Sequence, residues 1–227
     1  MKENLTIAVV GATGMVGSRV ITEAGARGHR VLALSRKPAS GVSEYPDVTP
    51  IATDANDPRS VYEALAGTNS PGAVDAVVLA VRTLPVDQEF LVGATRTVLD
   101  AAARLGARVL VVGGAGALRS PEDPELLVAD NPAYVPAEFE TVAAAGVAQL
   151  RACQDRAGGD WAYLSPPALL EPGARTGRYR RGTDTLLTST DGRSWISAED
   201  LSVAAVDELE APGPDRLFTV VHHPERG

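Results

Sequence analysis

The sequence predicts an α/β fold, a doubly wound domain on a parallel sheet, from three observations. An apolar strand, a glycine-rich turn and an amphipathic helix open the chain. Strand and helix signals then alternate to its end, and the two irregular stretches both follow strand ends. No internal repeat, low-complexity tract or linker divides the chain, so a single domain is expected over residues 1–227.

Residues 5–10 are apolar and largely β-branched, as a strand buried on both faces requires. Behind the turn Gly11-Ala12-Thr13-Gly14-Met15-Val16-Gly17, Val16, Val20, Ile21 and Ala24 recur at helical spacing. Residues 31–34 read as the second strand and 48–53 as the third, closed by Asp54. A helix over 58–66 follows, with Asp57 as its N-cap. Residues 74–80 form the fourth strand, whose one polar interruption is Asp75. The helix over 87–105 carries Leu91, Ala94, Val98, Ala102 and Leu105 on one face and stops at Gly106. A fifth strand, 108–112, runs into Gly113-Gly114-Ala115-Gly116. A long helix over 137–157 then puts Phe139, Val142, Gly146, Leu150 and Cys153 on its inner stripe. Residues 161–165 are the sixth strand, Ser197-Ala198-Glu199-Asp200 resembles a capping box for a helix to residue 210, and 217–221 form the last strand. The irregular stretches 118–136 and 166–194, with adjoining residues 114–117 and 195–196, follow the strand edge where open α/β sheets bind ligands. They are expected to build the substrate side.

A strand, a G-x-x-G-x-x-G turn and a helix N-terminus together place backbone N–H groups against a pyrophosphate. Gly11, Ala12, Thr13, Gly14, Met15 and Val16 are therefore candidate cofactor contacts. A site preferring NAD usually has a carboxylate about 20 residues beyond the glycines, to accept from the ribose 2′-hydroxyl. Here the second strand ends in Ser35-Arg36-Lys37, a hydroxyl and two cations suited to a 2′-phosphate, so NADP(H) is favoured over NAD(H).

Composition narrows the class. A net charge of −8 argues against a nucleic-acid partner. No apolar run reaches the ~18 residues of a membrane span, and the first strand leaves no room for a signal peptide, so a cytoplasmic protein without a membrane partner is expected. Cys153 is the one cysteine and reads as a packed thiol, which excludes an intramolecular disulfide or a cysteine metal cluster. His29 falls in a turn, and His222-His223, adjacent on a strand, would point to opposite faces, so no metal site is expected.

Four stretches together resemble the atypical short-chain dehydrogenase/reductases, in the NAD(P)H-binding branch that includes NADH-flavin reductases. They are Gly11 to Gly17, Val111-Val112-Gly113-Gly114-Ala115-Gly116, Ser165-Pro166-Pro167-Ala168-Leu169-Leu170-Glu171-Pro172-Gly173, and Ile196-Ser197-Ala198-Glu199-Asp200-Leu201. The resemblance implies that Asp54 and Ala55 contact the adenine, and that Ala80, Val81 and Arg82 line the nicotinamide ribose. It also implies that Gly113 lies at the cofactor and that Ser165 and Pro166 flank the nicotinamide. Asp54 reads equally well as a turn residue, and Ala80 and Val81 as strand core.

One departure from that family concerns catalysis. Classical members use a Tyr-x-x-x-Lys pair, whose ammonium depresses the tyrosine pKa. Lysine occurs here only at positions 2 and 37, and no tyrosine has a lysine four residues on. Tyr134, in the first irregular stretch, is the tyrosine best placed as an acid or an aromatic wall. Arg175, Arg178, Arg180 and Arg181 form the local basic cluster. They read either as an anion-attracting patch or as the solvated face of a hairpin with Tyr179 turned inward. The expected activity is hydride transfer from NADPH to a flavin, quinone-like or other conjugated small molecule. A non-catalytic redox sensor and a non-redox isomerase or cyclase stand as alternatives.

Overall fold

The computed structural model describes residues 4–38, 45–67, 73–156 and 158–223. Its main sheet has eight strands in the order β3-β2-β1-β4-β5-β6-β10-β8. These are β1 (Thr6–Val10), β2 (Arg30–Ser35), β3 (Val48–Ala52), β4 (Ala76–Leu79), β5 (Arg108–Val112), β6 (Trp161–Ser165), β8 (Tyr179–Gly182) and β10 (Leu217–His222). Every pairing is parallel except β10 with β8. The strand order reverses direction at β1, between β2 and β4, which opens a crevice at the C-terminal ends of these strands. The expected parallel α/β architecture is the one observed.

Helices cover both faces. α1 (Met15–Ala26) and α5 (Ala198–Glu210) pack on one side, around Ile7, Val9, Val20, Ile21, Leu110, Phe218 and Leu201. On the other side α2 (Pro58–Leu65), α3 (Gln88–Leu105) and α4 (Glu140–Gln154) enclose Ala8, Leu32, Leu79, Val98, Val111 and Tyr163. Successive residues of β1 and β5 alternate between these two cores, which is why both strands read as unbroken apolar runs.

Local signals set the element ends. The Asp57 side chain accepts from the Arg59 N–H and the Asp87 side chain from the Phe90 N–H, while Gly106 ends α3 at a φ of 69°. Asp75 explains its place in an apolar run: its carboxylate accepts the Thr6 N–H at 2.8 Å and pins the start of β1. Pro50 is tolerated because β3 is the edge strand. Only half of the expected capping box forms. Ser197 accepts from the Asp200 N–H, but the Asp200 carboxylate turns outward to the N–H groups of Thr176 and Gly177.

Other details differ from the sequence reading. The long helix is α only from Glu140, after a tighter turn at Ala137–Phe139 that follows Pro136; its expected end, Ala157, lies outside the described residues. The stretch 166–196 is not irregular throughout. It carries β8 and a second, two-stranded parallel sheet of β7 (Leu169–Glu171) and β9 (Trp195–Ser197).

Candidate functional site

A cavity of about 1190 Å³ opens at the C-terminal ends of β1, β2, β4, β5 and β6. It exceeds the ~300–1,000 Å³ of a typical small-molecule pocket, leaving room for a dinucleotide and a second ligand. The β1–α1 turn forms one wall. Gly11 (φ +95°) donates its N–H to Leu34 O, and a Cβ there would lie 2.3 Å from Ala80 O, so this glycine lets the turn sit against the end of β4. Gly14 is the N-cap of α1 with extended backbone, and a Cβ there would meet nothing closer than Gly11 O at 3.2 Å. No side chain caps α1 and no acidic residue stands in its first turn. Its first-turn N–H groups, which lack intrahelical acceptors, therefore start on the cavity wall with no carboxylate in their own turn. These residues fit a dinucleotide pyrophosphate.

Ser35 and Arg36, at the end of β2, line the same cavity. So do Arg82 after β4 and Arg193 before β9; among the described residues none of the three guanidinium groups pairs with a carboxylate, and that of Arg193 lies over the Trp195 ring. Of the other expected contacts, Gly11, Thr13, Gly14, Met15, Val16, Ala55, Ala80, Val81, Gly113 and Pro166 line the cavity. Ala12, Lys37, Asp54 and Ser165 do not. Ala12 is buried with its N–H on Leu34 O, and the Asp54 carboxylate accepts from the Asn56 N–H in a turn of its own. Ser165 is buried, its hydroxyl donated to Gly114 O at 3.1 Å, so it shapes the end of β5 from behind.

A family model described as NAD(P)H-binding matches residues 11–212, from the first glycine of the turn to just past α5. This chain belongs to the NAD(P)H-binding family. The YwnB protein of Bacillus subtilis strain 168 is 35 % identical to it over 224 residues, covering 97 % of this chain and 100 % of that one. A 3-diazoavenalumate denitrifying reductase of a Streptomyces species is 32 % identical, covering 97 % of this chain and 77 % of that protein. The crystal structure of a candidate NADH-flavin reductase from Streptococcus pneumoniae TIGR4 superposes with a TM-score of 0.82 at 26 % identity, covering 96 % of this chain and 99 % of that one.

The other half of this cavity is built by the two long connections. Tyr134, Val135, Pro136 and Phe139 come from the first, and Pro166 to Glu171 with Thr188, Gly192, Arg193 and Ser194 from the second. The walls are mainly apolar, and Phe139 and Leu169 are exposed large hydrophobics on them. Tyr134 donates its hydroxyl to both oxygens of Glu122, at 2.8 and 3.0 Å. Desolvation and that carboxylate both push its pKa above the ordinary phenol value, so the hydroxyl is held as a donor rather than tuned toward proton transfer. Tyr163, fully buried with its hydroxyl on Gly146 O, is pushed up by desolvation in the same direction.

The basic cluster lies elsewhere. Arg175 binds the Glu23 carboxylate through Nε and Nη2 at 2.6 and 2.8 Å, Arg181 pairs with Glu208 at 2.5 Å, and Arg180 donates to Thr188 O. Tyr179 donates to Asp207 at 2.5 Å. None of the four arginines lines the cavity, and β8 pairs with β10 rather than within a hairpin of its own. His29 accepts the Leu5 N–H at Nδ1 and lies 2.9 Å from Glu210 through Nε2, while His222 stacks on Trp195 with ring centroids 4.6 Å apart. Glu122, Phe139, Gln149 and Arg193 also line the cavity and were not expected there; Glu122, Phe139 and Arg193 were signalled only by their place in or beside the two long connections, and Gln149, in the middle of α4, by nothing local.

Proposed function

We propose that the protein is an NADPH-preferring reductase of the atypical short-chain dehydrogenase/reductase type, passing a hydride to a flavin, quinone-like or other conjugated small molecule. The observation that carries this reading is the meeting, on one cavity, of an uncapped helix start free of acidic residues and a β2 end bearing Ser35 and Arg36, whose guanidinium pairs with no carboxylate among the described residues. Two similar proteins, a denitrifying reductase and a candidate NADH-flavin reductase, are named for reductions, which agrees with this reading.

When bound, NADPH supplies the hydride. The rest falls to the chain. The α1 N-terminus holds the pyrophosphate, and Arg36 pairs with the 2′-phosphate. Tyr134, Phe139 and Leu169 form apolar and aromatic walls that exclude water and stack a flat acceptor at a productive distance. Neither tyrosine near the cavity is tuned as an acid, which suits an acceptor whose remaining proton comes from solvent.

Thermal unfolding with each nucleotide tests the reading. NADPH in excess should raise the melting temperature by several degrees, and more than NADH does. A panel of flavins, quinones and enones should then include one that is reduced with steady NADPH consumption. No shift with either nucleotide would sink the reading; binding without turnover on any acceptor would favour a redox sensor instead.

A further inference from the structure

Gln149 is a buried amide on the cavity wall whose hydrogen-bonding capacity the protein does not exhaust. It lies on α4, is 3 % exposed and lines the cavity. Its Nε2 donates to the Thr95 hydroxyl at 3.2 Å, and that hydroxyl gives its own proton to Leu91 O at 2.7 Å. The Tyr163 hydroxyl stands 2.9 Å from Gly146 O and 3.3 Å from Gln149 Oε1, so a single phenolic proton is shared with the nearer backbone carbonyl. A primary amide offers two N–H donors and two carbonyl lone pairs. One N–H and at least one lone pair of Gln149 thus have no partner among the described residues.

The surroundings indicate what completes this edge. A Cβ on Gly146, one turn before Gln149, would lie 3.7 Å from Gly114, and Tyr163 belongs to β6. Gln149 therefore sits by the ends of β5 and β6, where Gly113 and Pro166 also line the cavity. A dinucleotide with its pyrophosphate at α1 and its adenosine at the end of β2 sends its other ring across β4 to this side. We infer that Gln149 recognises the carboxamide of the nicotinamide ring, donating an N–H to the carboxamide oxygen and accepting from its amino group at Oε1. Thr95 and Tyr163 hold the glutamine amide in the plane that this pairing needs. The pairing fixes the rotation of the ring and hence the face it presents to the acceptor. This inference rests on the nucleotide-binding part of the proposed function.

Fluorescence titration with NADPH and with its 3-acetylpyridine analogue, in which methyl replaces the amino group, tests it. Wild-type protein should bind NADPH about 3- to 10-fold more tightly than the analogue, and Gln149→Leu should bind the two within about 2-fold of each other. Gln149→Met, nearer in shape, provides the same comparison if the leucine variant unfolds. Equal binding of both nucleotides by wild type overturns the inference, and so does a wild-type ratio retained by either folded variant. A changed KM for the acceptor with an unchanged nucleotide ratio would assign Gln149 to the acceptor and also overturn it. Wild-type protein that binds neither nucleotide would defeat the proposed function itself, a result distinct from loss of discrimination alone.

Discussion

Gly11 and Gly14 share one turn yet are glycine for separate reasons, and their variants should fail differently. At Gly11 a side chain meets both a φ of +95° and the carbonyl of Ala80, so Gly11→Ala should lower stability by about 2 kcal/mol or more in urea unfolding. At Gly14 the backbone is extended and a Cβ would press on Gly11 O at 3.2 Å, a contact that a shift of a few tenths of an ångström relieves, so Gly14→Val should fold with some loss of stability, keep wild-type circular dichroism, and lose NADPH binding. Retained affinity in Gly14→Val would reduce the turn to a structural feature. Arg36→Ala should weaken NADPH about 10- to 150-fold, the worth of a charge-assisted hydrogen bond, with little change for NADH. Equal losses would move Arg36 to the shared pyrophosphate or to the fold. Such residues were legible because their roles follow from a local pattern of strand, turn and helix. Gln149 was not, since its value comes from neighbours on α3 and β6 that no spacing brings together.

At the scale of elements, the segment between β7 and β8 is strapped to both helices of one face. Arg175 reaches Glu23 on α1, and Asp200 on α5 accepts the backbone N–H groups of Thr176 and Gly177 at 2.7 and 2.8 Å. The Arg175 hydrogen bond, aided by Arg27 and opposed by burial, holds the Glu23 carboxyl below its ordinary value near 4.5. A depressed carboxyl pKa contributes stability that is present above the ordinary value and lost as pH falls toward the depressed one. Arg175→Ala should therefore be less stable than wild type at neutral pH, and the gap measured in urea should narrow below about pH 4.5. A gap constant with pH would mean that Arg175 acts by packing alone. This strap, and the β7–β9 sheet, escaped the sequence reading for a physical reason. Leu169–Glu171 and Trp195–Ser197 are three-residue strands, too short to show a period of two, and each exists only because the other stands beside it. The main strands and helices were legible because each has a buried face long enough to print its period on the sequence.

For the molecule as a whole, Cys153 offers a probe of how far the cavity and the core open together. The thiol is fully buried on α4, packed in the core shared with α3 and β6, and desolvation pushes its pKa up to about 12. In the native state it should resist disulfide-exchange reagents at pH 8 and react only when α4 leaves the sheet. The same helix lines the cavity through Val142, Ala143, Gly146 and Gln149, so an opening that exposes the thiol also breaks that wall. A ligand that binds the closed cavity makes such openings rarer by the factor 1 + [L]/Kd. NADPH at roughly 100 times its Kd should thus slow Cys153 modification about 100-fold. NADH at the same concentration should slow it less. If NADPH raises the melting temperature but leaves the labelling rate unchanged, Cys153 is reached by a local movement of α4 that spares the nucleotide site. Rapid labelling without ligand would contradict the packing of α4 against the sheet.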